Sequence, residues 1–185
     1  MHREPLLKLL ESFLCVRPSD RERVERVRRF VLDQPDCFER GCVPGHITAS
    51  AWIVSPDRER FLLTRHRKLG RWLQLGGHAD GDPDPLRVAL REAREESGMR
   101  EFEAVPPEGP GLPLDVDVHP IPAHGSEPAH LHYDLRFLLV AGPGQSLVCS
   151  AESDELRWFP RARASEVLEE ASLRRLAERA GTLSE

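Results

Sequence analysis

The residues best placed to do chemistry lie in the stretch GGHADGDPDPLRVALREAREESGM, which runs from Gly76 to Met99. Asp84 suits a helix N-cap, Pro85 the first helical position and Gly98 a left-handed C-cap, so the spacing predicts a helix over 85–97. At about 100° per residue, Leu86, Ala89, Leu90, Ala93 and Ser97 fall on one face, which must be the buried one. The charges separate by sign: Arg87, Arg91 and Arg94 share one flank, and Glu92, Glu95 and Glu96 the other. Glu92 and Glu96, like Arg87 and Arg91, are like-charged i, i+4 neighbours, and each such pair costs roughly 0.2–0.5 kcal/mol in an isolated helix. A surface shaped only for helix stability would intermix the signs. Three carboxylates on one strip, beside a Gly-Gly turn that brings backbone carbonyls close, make an oxygen-rich site suited to Mg²⁺ or Mn²⁺. Such ions neutralise phosphate charge and activate water, so phosphoryl chemistry follows as the hypothesis.

Two further groups of side chains bear on that hypothesis. His130 and His132 are two apart on a strand-like run and share a face with Asp134, which leaves three readings open: a hydrogen-bonded polar patch, a substrate contact, or a second metal site. His46 and His78 are isolated cases that read first as structural, with His78, next to the Gly-Gly turn, kept as a candidate substrate contact. Arg65, His66, Arg67 and Lys68, with Arg71 nearby, form the densest basic cluster. It is either a solvated hairpin end or, through Arg65 and Arg67, a binder of substrate phosphates, because the guanidinium fork matches phosphate oxygens.

These residues need elements to position them. Residues 5–16 carry leucines and Phe13 at helical spacing before Pro18. Ser19 with Glu22 reads as a capping box opening a second helix striped by Val24, Val27, Phe30 and Val31. From residue 46 the pattern becomes strand-like: 47–54 and 60–64 as a hairpin around Pro56 and Asp57, then 72–75, 114–119, 131–141 and 155–159. Residues 165–180 form an amphipathic C-terminal helix. Mixed strands with a marked helix between them and helices at both ends predict an α/β or α+β layered sandwich, with parallel and antiparallel pairing unresolved. The organisation expected is an N-terminal helical extension over 1–43 and one domain over 44–185.

Composition narrows the function. Lys and Arg number 26 against 31 Asp and Glu, a net charge of −5, so no positive field exists to hold nucleic acid non-specifically. No apolar run approaches the roughly 18–20 residues that cross a bilayer, and the N-terminus lacks the apolar run of a signal peptide, so the expectation is a cytoplasmic protein without a membrane partner. Cys15, Cys37, Cys42 and Cys149 are scattered without a CxxC pair and read as reduced thiols.

The Gly76–Met99 stretch resembles the signature of the Nudix hydrolase family: G, five residues, E, seven residues, then R-E-U-x-E-E-x-G-U with U bulky and apolar. Gly77, Arg91, Glu92, Glu95, Glu96, Gly98 and Met99 stand in register, while Pro83 occupies the place of the first Glu and Ala93 that of the first bulky apolar residue. The resemblance spans about residues 44–165 and implies an α/β/α sandwich with a mixed sheet. It also implies a Mg²⁺ or Mn²⁺ centre with Glu92 and Glu96 as principal ligands, Glu95 serving a second metal or orienting water, and the Gly77 carbonyl completing the set. In place of the missing Glu, Asp82 or Asp84 would brace Arg91. The implied reaction is hydrolysis of a diphosphate linkage in a small nucleoside diphosphate derivative or related pyrophosphate, with Glu95, Glu152 or Glu155 as general base and a monomer or homodimer as the working form. Two other readings stay in view. A non-catalytic nucleotide-binding module would be marked by loss of the carboxylates, which are present, and an isopentenyl-diphosphate-isomerase-like enzyme would need a cysteine at the site.

Overall fold

In the computed structural model of the chain, residues 2–67, 70–105, 109, 111–125, 127–151 and 153–181 are described. The strands are β1 (Gly45–Val54), β2 (Arg60–His66), β3 (Trp72–Leu73), β4 (Leu75–His78), β5 (Phe102–Ala104), β6 (Asp115–Ile121), β7 (His130–Ala141) and β8 (Ser153–Pro160). The helices are α1 (Glu4–Val16), α2 (Arg21–Asp33), α3 (Pro85–Ser97), α4 (Ala164–Val167) and α5 (Ala171–Gly181). β1, buried along its whole length, is the centre of the sheet. It runs parallel to β7, from Gly45 beside Leu131 to Val54 beside Val140. Its other side pairs antiparallel with β4, Thr48 opposite His78 and Ala51 opposite Leu75, and then with β2 at Ile53 and Val54. β2 carries β3 and β8, and β7 carries β5 and β6, all antiparallel. The pairing left open by the sequence is thus mixed, with β1 and β7 the parallel pair among the described strands.

Strand alternation gives the sheet two faces. Ile47, Ala49, Ala51 and Ile53 of β1 and Tyr133, Leu135, Phe137 and Leu139 of β7 join one core with Leu6, Leu10 and Phe13 of α1, Val24, Val27, Phe30 and Val31 of α2, and Val88, Ala89 and Ala93 of α3. The N-terminal arm therefore shares a continuous core with the rest of the chain. On the opposite face Trp52, Val54, Leu138 and Val140 pack with Leu168, Leu173 and Leu176 of the C-terminal segment. Helices cover both faces, the α/β/α sandwich of an α+β fold. No helix among the described residues is long and apolar enough to cross a membrane.

Three local expectations are corrected. The Ser19–Glu22 capping box does not form: α2 follows a 3₁₀ turn (Pro18–Asp20), and the buried Asp20 turns its carboxylate to Arg23 and Arg179 instead of capping. The C-terminal helix divides into α4 and α5, because Leu168 adopts extended geometry and buries its side chain. The strand expected over 72–75 is two strands, β3 on β2 and β4 on β1.

Candidate active site

α3 forms over the residues its caps predict. The Asp84 side chain accepts from the amides of Leu86 and Arg87, each at 3.1 Å, and Gly98 closes the helix at φ +71°. The buried stripe includes Val88 in addition to Ala89, Ala93 and Ser97, while Leu86 and Leu90 pack at its margin. This face lies on β1 and β4 and turns the acidic flank toward Gly76 and Gly77. A Cβ on Gly76 would stand 2.4 Å from Ser50 Cβ and 2.6 Å from Ser50 Cα, whereas one on Gly77 would stand 2.6 Å from Glu92 Cδ. The two glycines thus let β4 close on β1 on one side and admit a carboxylate on the other.

The carboxylates are held there by specific bonds. The Gly76 amide donates to Glu96 Oε2 at 3.1 Å. Arg91 Nη2 donates to the His78 carbonyl at 2.7 Å and to Glu92 Oε1 at 2.7 Å, pinning α3 to β4 through one guanidinium. Burial pushes the Glu92 carboxyl above the ordinary carboxylate range, opposed by the hydrogen bond and charge of Arg91. Glu95 is exposed beside them. The side chains seated against the glycine pair, Glu92 and Glu96, are oxygen donors, a chemistry that fits a hard divalent cation such as Mg²⁺ or Mn²⁺.

Asp82 does not brace Arg91. Its carboxylate takes Arg87, with Nε at 2.6 Å from Oδ2, and Asp84 is committed to the N-cap. The role given to the missing Glu therefore passes to the His78 carbonyl, a main-chain acceptor that no side-chain pattern reveals. Arg67 bonds Asp154 at 3.0 Å, Glu155 takes Arg157 at 2.8 Å, and Arg65 is exposed on β2 opposite Glu155, so these candidates gather where β2 pairs with β8. Glu152 and Lys68 lie outside the described residues. The cysteines are free, with Cys37 in the core and its thiol pushed up to about 12 by burial, and Cys149 donating to the Ser153 carbonyl.

On the face of the sheet away from α3, the half nearer the start of β1 is polar. His46, Thr48 and Ser50 of β1 lie beside His132, Asp134 and Arg136 of β7, which lie beside His119, Asp117 and Asp115 of β6. Arg136, 2 % exposed, donates to Asp134 at 2.8 Å and Asp117 at 2.9 Å, and Asp134 also accepts from Thr48 and Ser50. Arg175 of α5 spans Asp115 and Asp117. Asp134 is thereby withdrawn from the histidines and belongs to a buried charge network. The signal for this network was the alternation H-x-H-x-D-x-R in β7, whose arginine sequence reading left aside. His130 and His132 gather with His46 and His78, their ring centroids 4.9–5.2 Å from that of His46 or of one another. Burial pushes His46 down to about 4 and holds His132 and His78 below the ordinary imidazole range, so these three rings are neutral at neutral pH.

The sheet, the helices on its two faces and the carboxylate-bearing α3 against a glycine pair define an α+β sandwich. A family model described as NUDIX domain matches residues 44–180, and the chain belongs to the Nudix hydrolase family. A curated relative from Streptomyces rubellomurinus, CMP-5'-(N-acetyl-N-hydroxy-3-aminopropyl)phosphonate hydrolase, is 33% identical over 128 residues. That match covers 65% of this chain and 54% of the relative, so the chain spans about half the relative's length. Among solved structures, a NUDIX-family hydrolase from Clostridium perfringens is 22% identical with a TM-score of 0.58, covering 75% of this chain and 97% of that one. A C. elegans Ap4A hydrolase in a binary complex is 17% identical with a TM-score of 0.59, covering 74% and 95%. At these identities the structures speak for the fold.

Proposed function

We propose that the chain is a Mg²⁺- or Mn²⁺-dependent pyrophosphohydrolase that cleaves a diphosphate-type linkage in a small nucleoside diphosphate derivative or related organic pyrophosphate. The observation that carries this reading is the seating of Glu92 and Glu96 against the Gly76-Gly77 pair by Arg91 and the Gly76 amide. Glu92 and Glu96, with the Gly77 carbonyl, would hold the cation. When bound, such a cation neutralises phosphoryl oxygens and lowers the pKa of water. Arg91 fixes the orientation of Glu92, and the Gly76 amide fixes that of Glu96, so neither carboxylate has to be organised at the moment of reaction. In this reading Glu95, exposed on the same flank of α3, takes a proton from the attacking water as the phosphorus–oxygen bond to the leaving group breaks.

The Streptomyces relative is named for a substrate that joins CMP to a phosphonate, which makes a nucleoside monophosphate joined to a second phosphorus acid the first substrate class to try. The test is product release by the purified chain from CMP-phosphonates, nucleotide sugars, dinucleoside polyphosphates, ADP-ribose and dNTPs, with and without Mg²⁺ or Mn²⁺. Cation-dependent release from at least one is expected, and Glu96→Gln should lower it by about 10³-fold or more, since a lost cation contact is worth several kcal/mol at about 1.4 kcal/mol per decade. The cation-free Tm of that variant should stay unchanged or rise, because clustered carboxylates repel one another. No release from any substrate, or equal release without cation, overturns the reading.

A further inference from the structure

Away from α3, the side chains best suited to bind a metal are the imidazoles on the opposite face of β1 and β7. We propose that His46, His130 and His132 form a site for a borderline transition-metal ion of the Zn²⁺ class, separate from the oxygen site on α3.

Geometry carries this. Each of the three residues offers one ring nitrogen, and the three atoms all lie within 4.8 Å of one another. His130 Nε2 and His132 Nε2 are 3.3 Å apart, the spacing of two corners of a tetrahedron drawn about an ion at a Zn–N distance of about 2.0–2.1 Å. His46 is 2 % exposed, and neither of its ring nitrogens has a hydrogen-bond partner. A buried imidazole left in that state costs free energy and calls for a ligand, and a cation between the rings supplies one.

The surroundings match a ligand shell. His130 Nδ1 lies 2.9 Å from the Pro128 carbonyl, which leaves its Nε2 facing His132; ligating histidines commonly donate their other ring N–H to such a carbonyl. The backbone is set by the parallel β1–β7 pairing, which places His46 directly beside His132, with His130 two residues along the same face. Three nitrogen ligands favour Zn²⁺, Ni²⁺ or Co²⁺ over Mg²⁺, the reverse of the preference of the α3 oxygens. β4 separates the two sites: Gly77 faces Glu92, so its neighbour His78 points to the other face, where its ring centroid lies 4.9 Å from that of His46.

The experiment uses the full chain, free of any affinity tag and stripped with chelator, then dialysed against Zn²⁺ or Co²⁺ with millimolar Mg²⁺ present throughout to occupy the oxygen site. One Zn²⁺ per chain is expected, with intense visible d–d absorption of low-coordinate Co²⁺. A Tm rise of about 5–10 °C should accompany a hundredfold excess of Zn²⁺ over Kd. His130→Ala and the His130→Ala/His132→Ala pair should weaken Zn²⁺ at least tenfold and a hundredfold while keeping the metal-free Tm within a few degrees. Glu92→Gln/Glu96→Gln should leave Zn²⁺ binding and the Co²⁺ spectrum intact. Absence of Zn²⁺ from the parent chain, retention by the histidine pair, or loss in the carboxylate pair each overturns the proposal. Because none of these readouts is turnover, they stand apart from failure of the hydrolase reading.

Discussion

Arg91 shows how little the fold leaves to chance around the carboxylates. Its guanidinium touches a backbone carbonyl of β4 and a carboxylate of its own helix, so the planar fork, more than the charge, matters. Arg91→Lys keeps the charge and loses the second contact. It should lower cation-dependent turnover by about 10–100-fold and weaken Mg²⁺ affinity by a similar factor in a titration, with little change in Tm. An unchanged Mg²⁺ affinity would reduce Arg91 to a surface ion pair.

At the scale of elements, β4 and α3 work as one unit, and the glycine pair separates stability from activity. Gly76→Ala drives a methyl into the β1 backbone at Ser50 and should cost at least about 2 kcal/mol, read as a Tm fall of about 4–8 °C. Gly77→Ala meets the end of the Glu92 side chain, which can swing aside. Stability should then change by less than about 1 kcal/mol while turnover falls about 10²-fold, the effect of displacing a positioned group by about 1 Å. The reverse ranking in thermal melts and assays would disprove this division of roles.

At the scale of the molecule, buried charge ties the outer elements together. Asp115 of edge strand β6 is reached by Arg136 of β7 and by Arg175 and Arg179 of α5, and Arg179 continues to Asp20 at the α1–α2 junction at 2.7 Å. Removing one member strands the others in a low-dielectric interior. Asp115→Asn should therefore cost about 3–5 kcal/mol and lower Tm by about 10 °C or more. Burial pushes the Asp117 carboxyl up, but the nearby His119 ring, Nδ1 3.3 Å from Oδ2, and the charges of Arg136 and Arg175 hold it well below the usual range. Its folded pKa is lower than its unfolded one, so its contribution is complete above about pH 4 and is lost as pH falls through the lower folded value. Urea midpoints should be flat on this account near neutrality and drop below about pH 4, and Asp117→Asn should shrink the drop.

Where the chain's local physics dominates, the sequence alone was sufficient. The caps, proline position and sign-sorted flanks of α3 defined its limits, its buried stripe and the carboxylate strip, because each depends on residues within a few positions along one helix. The signature then pointed to the family, and the apolar runs over 47–54 and 131–141 marked two of the strands. The rest turned on chain segments far apart in sequence. Which strand runs parallel to β1, which acceptor takes Arg91 and whether Asp20 caps a helix or binds Arg179 are settled by competition among partners whose proximity only the sheet creates. The histidines illustrate the point: His130 and His132 were visible as a same-face pair, but the parallel register supplied His46 beside them and took Asp134 away into the charge network.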